Sequence, residues 1–226
     1  IHPSCAPTIV TAHGGPTGHS IAAASLSYTY FTSRGFRIVD VNYAGSTGYG
    51  RSYREALKGQ WGVADTQDML AVARYFAQPE FTPPGGMFVR GGSAGGFAVL
   101  NALVHSDVFD GGINYYGVAD LIPLARDTHD FESRYLDSLV GPFPEREDLY
   151  RERSPLTHAH QVSAPLLILQ GSDDPIVPPA QSRAFLEACQ AKGIACEYHE
   201  FPGESHGFRQ AETIRTCATF EIEFLQ

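Results

Sequence analysis

The sequence has few of the features that identify a protein class at first sight. Its four cysteines include no C-x-x-C pair, so they indicate neither a zinc site nor a disulfide framework. No apolar run is long enough to span a bilayer, and no signal peptide is visible. The net charge of −9 argues against a nucleic-acid surface. We therefore expect a cytoplasmic protein that binds neither membranes nor nucleic acids and needs no metal or cofactor.

The 226 residues are 43% hydrophobic, which is enough for one large domain with a sizeable core. Strand-like runs occur at Pro7–Ala12, Phe36–Tyr43, Met87–Val89, Gly112–Gly117, Ala164–Gly171 and Ala195–Phe201. Helical patterns lie between or after them, at Asp65–Phe76, Gly96–Leu103, Ala180–Lys192 and Glu212–Phe224. This alternation predicts an α/β fold with a mostly parallel sheet and helices on both faces.

One stretch of the chain, Leu121–Thr157, departs from this alternation because it is charged, irregular and contains several prolines. We interpret it as an insertion over the sheet edge, with short helices near Glu132–Leu139 and Glu145–Arg153. His158 and His160 follow it. Since no further ligands lie near these two histidines in the sequence, a solvated pair is favoured over a metal site.

A serine stands between a strand and a helix in the stretch Gly91-Gly92-Ser93-Ala94-Gly95. G-x-S-x-G in that context is typical of a nucleophile elbow, a sharp turn that lifts the serine hydroxyl clear of the sheet. Gly91 and Gly95 fit such a turn because they have no Cβ to clash. A glycine-rich turn with an incidental serine is the alternative, and a partner base and acid would decide between them.

Candidates for both partners follow later strands. Asp173 and Asp174 come after one strand, and His206 comes after the next. Because the carboxyl ends of parallel strands gather at one edge of the sheet, we expect these groups to lie near Ser93. The order Ser, Asp, His is that of the α/β-hydrolases. Either aspartate could be a turn residue before Pro175 and His206 could be a loop histidine, but their joint placement favours a catalytic triad.

The glycines of His13-Gly14-Gly15-Pro16 follow the first strand. Backbone N–H groups at this place in the fold supply half of an oxyanion hole, and glycine lets the backbone approach a substrate oxygen. A plain Gly-Pro turn is the alternative.

These stretches together resemble the catalytic domain of the prolyl oligopeptidase family of serine peptidases, most closely its acylaminoacyl-peptidase-like branch. The resemblance covers nearly the whole chain. It is carried by the stretches named above and by Asn42–Gly50, Trp61-Gly62, Gln170–Pro178 and Ser205–Phe208. It implies that Asp174 is the catalytic acid, that Asp173 is a turn residue, and that the N–H groups of Gly15 and Ala94 form the oxyanion hole.

The resemblance also implies an apolar pocket for the residue before the scissile bond. By position, the lining residues would be Val118, Leu121, Leu124 and Val177. Ordinary core residues are the alternative reading of all four. Arg134 resembles an arginine that relatives use to hold a substrate carbonyl, although a surface arginine paired with a carboxylate is the alternative.

The sequence therefore predicts an α/β-hydrolase fold and a serine peptidase that hydrolyses short peptides through an acyl-enzyme, of the aminopeptidase or acylaminoacyl-peptidase type. A carboxylesterase or amide hydrolase acting on small acyl substrates is the first alternative, and a non-catalytic interaction module is the second. Members of the family carry an upstream β-propeller. Because residues 1–226 begin without Met and lack the first strands of a complete hydrolase sheet, we expect them to be the catalytic domain of a longer chain with such a propeller.

Overall fold

The structure, a computed structural model, describes residues 7–81, 85–127 and 134–226. Its described residues form one six-stranded sheet in which every neighbouring pair of strands is parallel. The strands are β1 (Thr8–Ala12), β2 (Arg37–Val41), β3 (Met87–Gly92), β4 (Gly111–Tyr115), β5 (Leu166–Gly171) and β6 (Cys196–Phe201), in the spatial order β2-β1-β3-β4-β5-β6. The predicted α/β fold with a parallel sheet is confirmed, since all six predicted strands are present.

The helices are α1 (Leu26–Thr32), α2 (Arg51–Glu55), α3 (Ala64–Phe76), α4 (Ala94–His105), α5 (Leu121–Asp127), α6 (Tyr135–Leu139), α7 (Glu147–Arg153), α8 (Pro179–Ala191) and α9 (Ala211–Phe224). A 3₁₀ helix spans Pro155–Gln161. The four longer helices agree with the helical periodicity of the sequence. The short helices α1, α2 and α5 were not predicted.

Both faces of the sheet are buried under helices. In β1, the side chain of Val10 packs on one face, in a cluster with residues of α3, α4 and α8. Its neighbour Ile9 packs on the opposite face, in a cluster with residues of α1 and α9. Both side chains are fully buried, as the two-residue period of a strand covered on both sides requires.

A third apolar cluster lies beyond the carboxyl ends of the strands and joins α4 to the insertion. Phe97 of α4 is fully buried there against the ring of Trp61, with centroids 4.6 Å apart. Leu136 of α6 and Tyr150 of α7 belong to the same cluster. The insertion therefore covers the end of the sheet at which Ser93 lies. Residues 128–133, which include the start of the predicted helix near Glu132, lie outside the described residues.

Two features of the described part of the chain bear on the expectations from composition. No described helix is both long and apolar enough to cross a bilayer. The thiols of Cys189, Cys196 and Cys217 are free, while Cys5 lies outside the described residues.

Candidate active site

Ser93 occupies a strained turn between β3 and α4. Its backbone has φ +57°, a left-handed conformation that is rare for residues other than glycine. The glycines around it allow the chain to pack that closely. A Cβ added at Gly95 would lie 2.2 Å from the carbonyl oxygen of Ala12, and one added at Gly91 would lie 2.5 Å from that of Gly95. The strand-turn-helix context predicted for the elbow is therefore present.

Ser93, His206 and Asp174 form one hydrogen-bonded line across the ends of β3, β5 and β6. The Nδ1 atom of His206 lies 2.7 Å from Oδ2 of Asp174, and its Nε2 atom lies 2.8 Å from Oγ of Ser93. An ionised carboxylate only accepts hydrogen bonds, so Nδ1 carries the ring proton and Nε2 accepts from the serine hydroxyl. This is the arrangement in which a histidine can take a proton from serine.

Asp174 is held rigidly at its end of the line. Its side chain is fully buried, and its Oδ1 atom accepts hydrogen bonds from the backbone N–H groups of Ile176 and Val177, both at 2.9 Å. Gln170 donates a longer bond of 3.4 Å to Oδ2. With Oδ1 fixed by the turn, Oδ2 faces His206.

Asp173 is placed differently from its neighbour. It is exposed, and its Oδ1 atom accepts a hydrogen bond of 2.6 Å from the hydroxyl of Ser172. Its backbone N–H donates to the carbonyl of Glu204 at 2.9 Å. Asp173 therefore serves the turn, while Asp174 alone contacts His206.

The loop that carries His206 is anchored by Glu204, a buried residue that the sequence analysis did not single out. Its carboxylate accepts hydrogen bonds of 2.9 Å from the backbone N–H groups of Arg209 and Gln210. Burial opposes the charge on Glu204, but these bonds outweigh it and hold its pKa below the usual value. A Cβ at Gly171 would lie 2.4 Å from the carbonyl oxygen of Glu204, so only glycine lets this loop approach β5 so closely.

The loop after β1 runs directly against the serine turn. A Cβ added at Gly14 would lie 3.7 Å from Cβ of Ser93. Gly15 has φ +134°, and it lines the same cavity as Ser93 and Ala94. Ala94 is the first residue of α4, where a backbone N–H has no partner within the helix. Both predicted oxyanion residues thus border the cavity at the serine.

The side chain and backbone of His13 hold the loop after β1 in place. Its ring stacks on Tyr43 with centroids 4.3 Å apart, and the Tyr43 hydroxyl donates 2.8 Å to the His13 carbonyl. The Nε2 atom of His13 lies 2.7 Å from Oγ of Ser46, in the loop that follows β2. Burial lowers the pKa of His13, so its imidazole is neutral at physiological pH.

An apolar cavity of about 70 Å³ opens beside Ser93. It is lined by Gly15, Pro16, Trp61, Ser93, Ala94, Val118, Leu124, Tyr135, Leu136, Ile176 and Val177. Val118, Leu124 and Val177 thus lie in the wall where they were expected.

Two of the predicted substrate-binding residues lie elsewhere. Leu121 does not line the cavity, because its fully buried side chain packs into the cluster behind the wall. Arg134 is exposed immediately before α6 and is also absent from the lining. Its neighbour Tyr135 lines the cavity, and its hydroxyl lies 2.7 Å from the hydroxyl of Thr17 in the loop after β1.

Trp61 is another wall residue for which the sequence predicted no role. The signal for it was modest: it is the only tryptophan of the chain and belongs to a stretch that carries the family resemblance. Its ring is almost fully buried between the cavity and Phe97. It therefore forms a rigid side of the cavity.

The histidines considered for a metal show ordinary contacts. The Nε2 atom of His158 donates 2.8 Å to the carbonyl of Glu152, and His160 is exposed. Across residues 7–81, 85–127 and 134–226, no three His, Cys, Asp or Glu side chains are grouped so that they could hold a metal ion.

Residues 23–226 match the model of the prolyl oligopeptidase family. The chain belongs to that family. Membership confirms the resemblance inferred from the motifs and makes this a serine hydrolase of the peptidase class.

Relatives with peptidase names cover nearly all of the chain. Dipeptidyl aminopeptidase BIII of Pseudoxanthomonas mexicana is 32% identical over 91% of this chain and 31% of its own length. A puromycin-hydrolysing peptidase of Mycobacterium tuberculosis superposes with a TM-score of 0.95, at 48% identity, over 98% of this chain and 34% of its own. An acylaminoacyl peptidase solved with Z-Gly-Gly-Phe-chloromethyl ketone superposes with a TM-score of 0.89, at 28% identity, over 99% of this chain and 37% of its own. The chain thus spans about a third of the length of these relatives.

Proposed function

We propose that Ser93, His206 and Asp174 are the nucleophile, base and acid of a peptidase that hydrolyses short peptides through an acyl-enzyme. The observation that carries the proposal is the continuous hydrogen-bonded line between them, with spacings of 2.7 and 2.8 Å. A serine hydroxyl is a weak nucleophile at neutral pH, and this line supplies the proton acceptor it needs.

In the proposed reaction, Oγ of Ser93 attacks the scissile carbonyl while Nε2 of His206 takes its proton. Asp174 keeps the other ring nitrogen protonated and stabilises the imidazolium that forms. His206 then gives the proton to the leaving amine, which leaves an acyl-enzyme on Ser93. A water molecule attacks that ester with His206 again as base, and the product acid and the free serine result.

The N–H groups of Gly15 and Ala94 are proposed to bind the oxyanion of each tetrahedral intermediate. Their backbones border the cavity from two sides of Ser93, which supports the assignment. Donors fixed before the reaction stabilise the developing charge without reorganisation, and removing one such donor typically costs about 10²–10³-fold in rate.

The apolar cavity is proposed to take the side chain of the residue before the scissile bond. Val118, Leu124 and Val177 would contact that side chain, while Leu121 would support the wall from behind. The acylaminoacyl peptidase relative is complexed with a peptide ketone that ends in phenylalanine, which favours an apolar or aromatic residue here. We propose that the exposed Arg134 reaches a substrate carbonyl only from the rim.

An upstream β-propeller that admits only short peptides remains part of the proposal. It is supported by the length of the relatives, about three times the span of this chain. The substrates are accordingly proposed to be short peptides and aminoacyl amides.

The experiment compares Ser93→Ala, Asp174→Asn and Asp173→Asn in the full-length protein. Aminoacyl anilides, puromycin and simple acyl esters serve as substrates. We expect Ser93→Ala and Asp174→Asn each to lower kcat by about 10⁴-fold, since the asparagine would favour the wrong tautomer of the histidine. Asp173→Asn is the matched control and should retain most activity, because the carboxylate of Asp173 accepts from Ser172 and does not contact His206.

The outcomes separate the candidate functions. Near wild-type turnover by Ser93→Ala would refute the assignment of Ser93 as the nucleophile. An inactive Asp173→Asn would indicate that Asp173, and not Asp174, is the catalytic acid. Turnover of esters without any anilide cleavage would favour the esterase alternative. Failure of a fluorophosphonate to label Ser93 would favour a non-catalytic module.

A further inference from the structure

Tyr116, the residue that follows β4, packs its ring against His206. The two ring centroids lie 4.7 Å apart, with the planes tilted by 57°. We propose that Tyr116 is a positioning residue that holds the imidazole of His206 in its reactive orientation. The proposal rests on the function proposed above, in which His206 is the base.

The backbone of Tyr116 is strained in a way that its surroundings maintain. Its φ is +38°, and apart from Ser93 it is the only described residue other than glycine with a positive φ. Such strain persists only where the surrounding structure over-determines the conformation, and it tends to occur at functional sites. Here the backbone N–H of Tyr116 donates 2.9 Å to the carbonyl of Leu169 in β5. The left-handed turn directs the ring towards the loop of His206.

Other aromatic rings fix the ring of Tyr116 in place. Phe208 meets it edge-on at 5.4 Å, and Phe208 in turn packs on Phe201 at the end of β6 at 5.2 Å. Tyr115 lies on another side at 6.0 Å. The surface presented to His206 is therefore backed by Tyr115 of β4 and, through Phe208, by Phe201 of β6.

The two hydrogen bonds of His206 leave one motion of its ring unrestrained. The hydrogen bonds at Nδ1 and Nε2 hold two atoms of the ring in place. They resist sliding within the plane, but they resist tipping about the line between the two nitrogens only weakly. A ring packed near the imidazole face opposes that tipping. The same ring would attract the imidazolium that forms when Ser93 loses its proton, because a cation within about 6 Å of an aromatic face is stabilised.

Tyr116 acts through His206 and not through substrate. It is absent from the lining of the substrate cavity, whose wall on this segment is formed by Val118. Loss of the Tyr116 ring should consequently lower kcat and leave KM for a small acyl ester unchanged. A residue that shaped the pocket would change KM.

The test uses Tyr116→Ala, Tyr116→Asn and Tyr116→Phe in the full-length protein. The asparagine variant tolerates a left-handed backbone, so it removes the ring with less risk to folding. Phe220→Ala is the matched control, since Phe220 stacks on a histidine outside the site, His199, at 3.8 Å.

We expect the alanine and asparagine variants to lose about tenfold or more in kcat, because a small misplacement of a catalytic group can cost up to about 10²-fold. Their KM should stay within about twofold, and Tyr116→Phe and Phe220→Ala should remain close to wild type. The proposal is overturned if Tyr116→Ala and Tyr116→Asn both retain the wild-type kcat, or if they raise KM without lowering kcat. It is also overturned if Tyr116→Phe is as impaired as Tyr116→Ala. Ser93→Ala run alongside separates the two ideas: an active Ser93→Ala refutes the proposed function, whatever Tyr116 does.

Discussion

Replacing Asp65 with asparagine is expected to remove a pH dependence from the stability of the domain. The Asp65 side chain is fully buried in the first turn of α3, next to the cavity wall residue Trp61. Its Oδ1 atom accepts a hydrogen bond of 2.7 Å from the N–H of Gly62, while Oδ2 has no partner among the described residues. Burial raises the pKa of Asp65 from 3.8 to about 7, against the opposing effect of the backbone N–H groups around it.

The size of the effect follows from that pKa. In the unfolded chain Asp65 loses its proton near pH 4, whereas in the folded domain it keeps the proton up to about pH 7. The folded state therefore binds more protons between these values, so the free energy of unfolding falls as pH rises through this window. A difference of about 3 pKa units corresponds to roughly 4 kcal/mol, and more than half of it falls between pH 5 and pH 8.

Urea unfolding of wild type, Asp65→Asn and Thr66→Val at pH 5 and pH 8 measures this contribution. The amide keeps an acceptor for Gly62 but cannot ionise, so wild type should lose roughly 3 kcal/mol relative to Asp65→Asn between the two pH values. Thr66 is the control because its hydroxyl donates 3.1 Å to the Gly62 carbonyl and does not titrate. A difference between Asp65→Asn and wild type that stays constant within about 0.5 kcal/mol would refute the reasoning, because the folded carboxyl would then ionise as in the unfolded chain.

Two further predictions concern the turn at Ser93 and the loop after β1 that carries Gly15. Gly95→Ala should destabilise the domain and abolish fluorophosphonate labelling, since its Cβ would lie 2.2 Å from the Ala12 carbonyl oxygen; a wild-type melting temperature with full labelling would contradict the predicted clash. Tyr135→Phe and Thr17→Val should each lower kcat/KM, because their hydroxyls form a bond of 2.7 Å between the cavity wall and the loop that carries Gly15, a proposed oxyanion donor. In a double-mutant cycle the pair should couple by about 1 kcal/mol, and strict additivity would show that the bond does not order the loop.

The sequence was most informative where the chemistry allows few residue types. The elbow at Ser93 requires small residues at fixed spacing. The hydrogen-bonded line from Ser93 requires an imidazole and then a carboxylate. The resemblance placed the acid at Asp174 in preference to Asp173, and the structure directs Asp174 alone at His206. The strands were equally readable, because a parallel sheet buried on both faces needs continuous apolar runs such as β5.

The short helices could not be read in the same way. The helix α1 has seven residues and α2 has five, so neither shows enough turns for a helical period to stand out. The start of α1 did carry a local signal: the hydroxyl of Ser25 caps it by accepting 3.3 Å from the N–H of Tyr28. Composition alone does not distinguish such a cap from a serine in a loop.

Three of the four residues predicted for the cavity wall line the cavity, and the fourth, Leu121, differs for a related reason. Any apolar residue can line a pocket or support it from behind, and the choice depends on the rotation of a short helix. Leu121 and Leu124 lie three residues apart in α5, yet Leu121 packs into the cluster and Leu124 faces the cavity. On the neighbouring α6, Tyr135 faces the cavity, and the sequence predicted no role for it.

The segment after β4 joins the wall of the cavity to the ring that packs on His206, the proposed base. Tyr116 contacts His206 and Val118 lines the cavity, and only Gly117 separates them. That glycine has no room to move, since a Cβ there would lie 2.6 Å from the side chain of Asn114 and 2.7 Å from the backbone of Gly96. Asn114 closes the arrangement by accepting from the N–H of Gly117 at 2.8 Å and donating to the carbonyl of Gly96 at 3.1 Å. Because this short stretch is packed as a unit, a substitution at Val118 that displaces the backbone will also displace the ring behind His206. Substitutions of Val118 should therefore alter kcat together with KM, whereas substitutions of Leu124, which lies on α5, should alter KM alone.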